Sequence, residues 1–375
     1  MKSYAVIVVL ALSTAGCAST RESYLFLSPE RWAQEMVKRG VDLREVPNPL
    51  AVDDEVRKSA DSLAGVGTPP ERLQRLQTAL FREDTFPFLY EHRETFTATE
   101  AFARREGNCL SFTNLFVAMG RSLGLPVTTA LVRRAQASEK NGDLIIVNNH
   151  VVAALQYGVG WQYFDFDRRR HDRPAMVRPL DDLWITALYL NNRGADELRL
   201  SHPDIALRFF GYATRLALAF APTWGNVGVA RRRLGDTQGA LDAYSRALTI
   251  SADDPTILGN LASLYRSLGK EKEAETALQA IKVGNATPHT LIVRGDLELA
   301  RGRVSGAIRF YKRACNLGPN LADPWVALAR AEVAKGNSGR ARRDLKRALK
   351  LEPENGDAIL LENQLSAPPQ PPSPH

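Results

Sequence analysis

The sequence predicts an α+β domain followed by an all-α solenoid of helical repeats. Three observations predict this: a cysteine at the start of an amphipathic helical pattern, two apolar strand-like runs joined by a hairpin signal, and a 34-residue period in the second half. A chain of 375 residues is long enough for two domains, each with its own core. Its 44% hydrophobic and 24% charged residues are ordinary for a globular protein.

The N-terminus has the layout of an export signal. A basic start at Lys2 is followed by an apolar run from Tyr4 to Leu12, which is far shorter than the roughly 20 residues that cross a bilayer. Ala15-Gly16-Cys17 resembles a bacterial lipobox, which implies that residues 1–16 are a signal peptide and that Cys17 is lipidated. An ordinary cleaved signal is the alternative. Because Ala18 and not Asp follows Cys17, the resemblance implies a lipid anchor in the outer membrane, facing the periplasm. Residues 17–64 are predicted to be a linker and an N-terminal helical segment.

The three cysteines are predicted to have separate roles. Cys17 is the lipidation site, and Cys315 falls at an apolar position inside a repeat helix, where a buried thiol behaves as a small hydrophobe. Cys109 is left unpaired, which calls for a reason in an oxidising compartment. No Cys or His cluster has the spacing of a zinc site, so we expect no metal. We also expect no other cofactor.

Cys109 is predicted to begin a helix. Gly107 and Asn108 are turn and cap residues, the apolar positions that follow fit helical spacing, and Gly124 and Pro126 end the pattern. Backbone amides and the helix dipole favour an anion at such a position, which suits a reactive thiolate. A structural cysteine near a helix start is the alternative on position alone.

A base and an orienting acid are predicted on the strands that follow. His150 begins an apolar run, Tyr157-Gly158-Val159-Gly160 is a hairpin signal, and Trp161 begins a second run that ends in acidic residues. On paired antiparallel strands His150 can lie beside Asp165, which holds the imidazole while its other nitrogen faces the thiol. Asp167 shares a strand face with Asp165 and is the alternative acid.

The combination of Gly107-Asn108-Cys109, His150, Trp161 and Asp165 resembles the transglutaminase-like superfamily, which has a papain-related α+β fold. The resemblance implies a domain over residues 65–185 in which Cys109 is the nucleophile, His150 the base and Asp165 the orienting acid. Two positions depart from the family pattern: Leu110 stands where many members have Trp, and Val152 stands at another frequent Trp. The substrate groove is therefore expected to differ from that of protein-crosslinking members.

Two functions are compatible with this site. In the first, Cys109 attacks a peptide or protein amide to form a thioester, and water or an amine then accepts the acyl group. The backbone N–H of Cys109 is expected to supply part of the oxyanion site. In the second, a weakly active or inactive domain serves as an envelope binding module. A purely structural domain would leave Cys109 unexplained.

The second half of the chain repeats every 34 residues. Glycines recur at this period, as do large aromatic or aliphatic residues. Small residues recur at it too, namely Ala206, Ala240, Ala274, Ala307 and Ala341. The pattern resembles tetratricopeptide repeats, with four clear copies over 221–354 and a degenerate copy at 187–220. The predicted array spans 187–366, its capping helix is Gly356 to Ser366, and residues 367–375 are a disordered Pro-rich tail.

Such arrays usually offer a concave groove to a peptide or protein, so the repeats are expected to bind a protein partner or the substrate. A scaffold that only packs against the first domain is the alternative. All of the formal net charge of +7 falls in this half. The basic residues are not interleaved with stacking aromatics, so nucleic acid is not an expected partner. Arg231-Arg232-Arg233 and Arg340, Arg342 and Arg343 form a basic groove wall or, alternatively, solvated helix faces. Arg168 to His171 is expected to be an exposed loop, and a rim for an acidic substrate is the alternative.

Overall fold

A computed structural model describes residues 25–82, 84–90, 94–132, 137–141, 144–148, 150–165, 177–282 and 285–366. Cys17 and the rest of the predicted signal lie outside these residues. So do Asp167, the loop from Arg168 to His171, and the predicted tail 367–375.

The first half is an α+β domain. Its helices are α1 (Pro29–Lys38), α2 (Asp54–Ala64), α3 (Pro69–Leu80), α4 (Ala98–Arg104) and α5 (Cys109–Ser122). Its strands are β1 (Leu89–Tyr90), β2 (Glu106–Gly107), β3 (Val127–Val132), β4 (Ala137–Asn141), β5 (Leu144–Asn148), β6 (Val151–Tyr157), β7 (Gly160–Phe164) and β8 (Val177–Pro179). The predicted helix at Cys109 and the hairpin at Gly158 are therefore present.

The main sheet has the strand order β7-β6-β3-β8, and all of its pairs are antiparallel. Val127 pairs with Leu155 and Leu131 pairs with Val151, so β3 begins where β6 ends. The β6–β7 hairpin extends beyond that end of the sheet, whereas His150 and Asp165 lie at the opposite end. Two short ladders, β1 with β2 and β4 with β5, lie apart from this sheet.

The core of the domain lies between one face of the sheet and helices α2, α3 and α5. Apolar residues on one side of α5 pack against Ala153, Leu155 and Phe164 of the sheet. Phe112 and Phe116 stack with ring centroids 5.9 Å apart, and Phe116 lies 5.2 Å from Phe164. Burying aromatic rings of this size removes a large apolar area from water, so α5 is held firmly against the sheet.

The second half is a row of antiparallel helix pairs: α6 (Asp182–Arg199) with α7 (Pro203–Leu216), α8 (Ala221–Arg233) with α9 (Thr237–Ile250), α10 (Pro255–Ser267) with α11 (Glu271–Gln279), α12 (Pro288–Ala300) with α13 (Val304–Leu317), and α14 (Ala322–Ala334) with α15 (Ser338–Leu351). A last helix, α16 (Gly356–Ser366), covers the end of the array at the predicted position. The solenoid fold is confirmed.

The period has a direct packing cause. The alanines that recur at this period are completely buried. A glycine in the first helix of a pair also allows the aromatic ring of the second helix to pack against its backbone: a Cβ on Gly228 would lie 2.5 Å from the Tyr244 ring. Gly194 with Phe210 and Gly295 with Tyr311 repeat this contact. The glycines that end the first helices have a left-handed backbone, with φ of +79° at Gly235.

The two halves share a core. Helix α6 packs with α1 and α7 around Trp32, Met36 and Leu188, and this cluster also includes Leu110 and Val151. The predicted boundary at residues 185–187 therefore falls inside a helix that belongs to both halves. Strand β5 also lies beside α8 and α10. Within the part of the chain that the structure describes, no helix is both long and apolar enough to span a bilayer.

Candidate active site

Asn108 positions Cys109 by capping α5. Its extended backbone precedes the helix, and its side-chain Oδ1 accepts hydrogen bonds from the amides of Leu110 (3.1 Å) and Ser111 (3.0 Å). These amides are among those that a helix start leaves without partners. Cys109 is the first residue of the helix and is half-buried. No hydrogen bond from its own amide is found among the described residues.

The Gly107 backbone makes the turn before Cys109 possible. Its φ of +150° is a conformation that residues with a side chain rarely adopt. A Cβ at this position would overlap the Cβ of Ser111. Both the conformation and the close approach therefore require glycine, which explains the Gly-x-Cys pattern in the sequence.

A buried segment before α4 supports the cap from behind. The hydroxyl of Thr95 accepts from Asn108 Nδ2 at 2.7 Å, and the amide of Phe96 donates to Ser111 Oγ at 2.8 Å. Asn114 Nδ2 donates to the Phe96 carbonyl at 3.2 Å. The side chain of Asn108 is thus bonded at both ends, which fixes the direction in which α5 begins.

His150 and Asp165 meet as the hairpin register predicts. His150 Nε2 lies 2.9 Å from Asp165 Oδ2, and the two side chains are 23% and 21% exposed. Cys109 lies close enough to this ring that its side chain raises the pKa of His150. Because Asp165 occupies Nε2, the nitrogen that remains for the thiol is Nδ1. The structure thus brings Cys109, His150 and Asp165 together in one site.

The electrostatics of the site favour a charged imidazole. Burial lowers the pKa of His150, but hydrogen bonds and negative charge from Asp165 and Cys109 raise it more, so that the pKa increases from 6.5 to about 9. A protonated imidazole beside a thiol stabilises the thiolate. The arrangement is therefore the kind in which a neighbouring base activates a cysteine nucleophile.

Backbone contacts fix both members of the pair. Gln77 on α3 donates through Nε2 to the carbonyl of Asp165 at 2.8 Å, and the amide of Val132 donates to the carbonyl of His150 at 3.1 Å. Gln77 is buried, yet its sequence environment gives no sign of this role. It is a supporting residue that sequence reasoning missed.

The first repeat helix also supports the site. Asp196 on α6 accepts a hydrogen bond from the amide of Thr95 at 3.2 Å, and it pairs with Arg199. Burial raises the pKa of Asp196 to about 7, against the lowering effects of Arg199 and of the Thr95 amide. Leu110 and Val151, the neighbours of Cys109 and His150, pack on the same helix. Leu110, one of the departures from the family pattern, therefore contributes to the contact between the two halves.

The other candidate residues lie away from this site. Cys315 is 3% exposed in the packed repeats, and burial raises its pKa to about 12, which agrees with a structural thiol. Among the described residues, no group of three His, Cys, Asp or Glu side chains could hold a metal ion. Val152, the second departure, is buried on the far face of the sheet with Ala130 and Ala154.

The two arginine groups differ in their surroundings. Arg232 donates to Ser263 Oγ at 3.1 Å and Arg233 donates to the Leu198 carbonyl, so these half-buried side chains link neighbouring helices. Arg340, Arg342 and Arg343 are exposed on α15. The second group therefore fits the solvated-face alternative.

Comparison with known families supports the division into two parts. The model of the transglutaminase-like superfamily matches residues 57–166, a range that contains Cys109, His150 and Asp165. Two tetratricopeptide-repeat models match residues 191–255, 232–287 and 326–361.

Three individual proteins are each similar to this chain over less than half of its length. The BBSome complex member BBS4 of Bos taurus is 26% identical over 155 residues, which make up 41% of this chain and 30% of that protein. The matched part thus spans less than a third of its relative. A thermophilic repeat protein of Thermus thermophilus is 18% identical, with 48% of this chain and 98% of that chain covered and a TM-score of 0.44. The Pseudomonas aeruginosa pilF structure is 15% identical, with coverage of 48% and 82% and a TM-score of 0.41.

The family matches and the geometry of the first half agree with each other. The cysteine, histidine and aspartate of the sequence pattern lie within the matched range, and they contact one another in the structure. This chain therefore contains a transglutaminase-like domain followed by tetratricopeptide repeats.

Proposed function

We propose that this protein is an exported lipoprotein whose Cys109, His150 and Asp165 catalyse cysteine-dependent acyl transfer on peptide or protein amides. The observation that carries the proposal is the contact of His150 with both Cys109 and Asp165. A helix start, a paired imidazole and an orienting carboxylate form the arrangement that activates a thiol nucleophile.

The first half of the reaction forms a thioester. The thiolate of Cys109 attacks the amide carbonyl carbon, and the resulting tetrahedral intermediate breaks its C–N bond. The imidazolium of His150 gives its proton to the departing amine, while Asp165 holds the ring in position. In the second half, His150 takes a proton from water or from an acceptor amine, which attacks the thioester and releases Cys109.

The helix start also offers a donor for the oxyanion. Asn108 occupies the amides of Leu110 and Ser111, whereas the amide of Cys109 has no partner among the described residues. As the first amide of α5, this N–H belongs to the nucleophile residue itself, which is a suitable position for an oxyanion donor.

The repeats supply the proposed binding surface. Tetratricopeptide arrays are protein-interaction modules, and here the array is joined through α6 to the domain that holds the site. We propose that it binds the protein substrate or a partner that brings the substrate. The lipid on Cys17 would keep both parts at the periplasmic face of the outer membrane.

Thiol labelling tests the catalytic part directly. Iodoacetamide should alkylate Cys109 rapidly below pH 7, and His150→Ala should slow this reaction sharply because the thiolate loses its cation. Cys315→Ala is the matched control, since it removes the other thiol of the described chain and leaves the fast reaction unchanged. A Cys109 that reacts only above pH ~8, as a free thiol does, would refute the proposed activation.

A comparison of envelope peptides then addresses turnover. Wild-type cells and cells with Cys109→Ala should differ in peptides that are cleaved, deamidated or crosslinked, and the type of change identifies the acyl acceptor. Identical peptide sets from the two strains would favour a binding module over an enzyme. For the lipid anchor, globomycin and Cys17→Ser should each leave unprocessed precursor, and unchanged maturation in both would exclude it.

A further inference from the structure

One end of the transglutaminase-like domain exposes large apolar side chains. At the tip of the β6–β7 hairpin, Tyr157 is 51% exposed, Trp161 is 41% exposed and Val159 is fully exposed. Because side chains alternate along a strand, and because Trp161 pairs with Gln156, Tyr157 and Trp161 project from opposite faces of the hairpin. The tip is therefore an apolar wedge on both faces.

The loop between α2 and α3 lies at the same end. Its Val66 is 98% exposed, and Arg75 holds the loop by donating to the Val66 carbonyl at 2.6 Å. Arg72 donates to the carbonyl of Gly65 at 2.9 Å and reaches the carbonyl of Leu123 at 3.5 Å. Since Leu123 directly follows α5 as its C-cap, this loop lies beside the end of the sheet where β3 begins.

The first described residues also reach this end. The amide of Leu27 donates to Asp182 Oδ2 at 2.8 Å, and Arg121 bonds to the same carboxylate and to the Val127 carbonyl. Phe26 lies under the guanidinium of Arg121 and is 47% exposed. Leu25 is the eighth residue after Cys17 in the sequence, so the chain between them has a reach of at most about 28 Å.

We propose that this end, named here the apolar end and defined by Phe26, Val66, Tyr157, Val159 and Trp161, lies against the bilayer that holds the lipid of Cys17. The inference rests on the proposed lipid anchor. Trp and Tyr favour the boundary between headgroups and acyl chains, where an amphipathic ring meets both environments. A tether beside the apolar end keeps it close to the membrane, so that a small wedge is sufficient for contact.

This orientation sets the height of the active site. Helix α5 begins at Cys109 and ends near the apolar end, and its 14 residues span about 20 Å. His150 and Asp165 lie at the same far end of the sheet as Cys109. The site then faces away from the bilayer into the periplasm, and it would act on envelope or periplasmic amides and not on membrane-embedded ones.

Fluorescence quenching by brominated lipids tests the orientation. Acylated full-length protein is placed in vesicles of phosphatidylethanolamine and phosphatidylglycerol whose acyl chains carry bromine at shallow, middle or deep positions. The difference between wild type and Trp161→Phe isolates the emission of Trp161. We expect that emission to be lost most strongly with shallow bromines and to shift to the blue when the vesicles are added.

Two variants complete the test. Trp325→Phe is the matched control, because Trp325 lies in the repeats and its emission should be unaffected by bromine. Val159→Asp should reduce the quenching of Trp161, whereas Leu317→Asp, an exposed apolar position on α13, should not. Mass spectrometry determines in parallel whether the N-terminus carries an acyl group.

The outcomes separate the two proposals. An acylated, vesicle-bound protein with unquenched Trp161 would overturn the orientation and leave the lipid anchor standing. A chain that carries no acyl group would overturn the anchor and the orientation together. A blue shift of Trp161 on self-association without vesicles would assign the apolar end to a second copy of this chain and would also overturn the proposal.

Discussion

Replacing Asn108 by Asp separates the stability of α5 from the reactivity of Cys109. The Oδ1 of Asn108 accepts three bonds, from the amides of Leu110 and Ser111 and from Ser111 Oγ at 3.1 Å. An Asp retains these acceptors, and the Thr95 hydroxyl can rotate to donate to its second oxygen. Because Asp is also an excellent helix cap, the free energy of unfolding should change by less than about 1 kcal/mol.

The effect on the thiolate should be much larger. Asn108→Asp places a negative charge on the residue next to Cys109, and two like charges about 6 Å apart at an effective dielectric constant of about 20 repel by ~3 kcal/mol. At about 1.4 kcal/mol per pH unit, the midpoint of Cys109 alkylation should move upward by about 2 pH units. His150 will offset part of this shift by remaining protonated.

Asn108→Ala provides the contrast. It removes the cap, which costs about 1 kcal/mol, and it deprives the buried Thr95 hydroxyl of its partner, which costs about 1–2 kcal/mol more. Urea unfolding should therefore show a loss of about 2–3 kcal/mol for Asn108→Ala and almost none for Asn108→Asp. If Cys109 of the Asn108→Asp variant is alkylated with the wild-type pH profile, its thiolate is not influenced by charge at this helix start, and the reasoning fails.

Further predictions concern the base, the turn, the first repeat helix and the array. Asp165→Asn should lower the pKa of His150 from about 9 toward its ordinary 6.5, and NMR titration of the ring would detect this change. A raised pKa stabilises the folded state below pH 6.5, and this stabilisation is lost as the pH rises through 9, so the variant should lose stability mainly at acidic and neutral pH. An unchanged titration would contradict the ion pair. Gly107→Ala should lower the free energy of unfolding in urea by more than about 2 kcal/mol and abolish fast alkylation of Cys109. Gly124→Ala, also at positive φ but with open space around the added Cβ, should cost about 1 kcal/mol from backbone strain alone. Equal losses in the two variants would show that the close approach of Gly107 to Ser111 does not matter. Asp196→Ala leaves the amide of Thr95 without its acceptor and should lower the unfolding free energy by about 1–3 kcal/mol and slow alkylation of Cys109, and unaltered alkylation would show that α6 does not position the site. Gly228→Ala, which would collide with the Tyr244 ring, should lower the melting temperature of the repeats, and Gly211→Ala on the open surface should not.

The parts of the site that follow from local sequence could be predicted. Gly107, Asn108 and Cys109 are consecutive, so cap chemistry and a helical pattern were enough to place the thiol at the start of α5. His150 and Asp165 are joined by one hairpin, and the short turn at Gly158 fixes their register. In each case the decisive contact is between residues that are neighbours along the chain or across a tight turn.

The remaining contacts could not be predicted because they join distant segments. Gln77 reaches Asp165 across 88 residues, and Asp196 reaches Thr95 across 101. Neither residue lies in a motif. Both belong to amphipathic helices, in which the sequence pattern does not distinguish a buried polar residue from an exposed one. The position of α6 was hidden for a related reason: its pattern predicts a repeat helix, and it does form one, but its other face completes the core around Trp32 and Leu110.

If the protein is exported as proposed, the shared helix α6 has a consequence for how it matures. A chain that crosses a membrane from its N-terminus presents α5 and the main sheet before α6, and Leu110 and Val151 remain uncovered until Leu188 and its neighbours arrive. Thr95, whose hydroxyl accepts from Asn108, likewise lacks the acceptor of its own amide until Asp196 emerges. Cys109 would therefore acquire its final geometry only after the first repeat has been delivered. A nascent or truncated chain would then lack an activated thiol for as long as it also lacks the repeats, which are the proposed binding surface for the substrate.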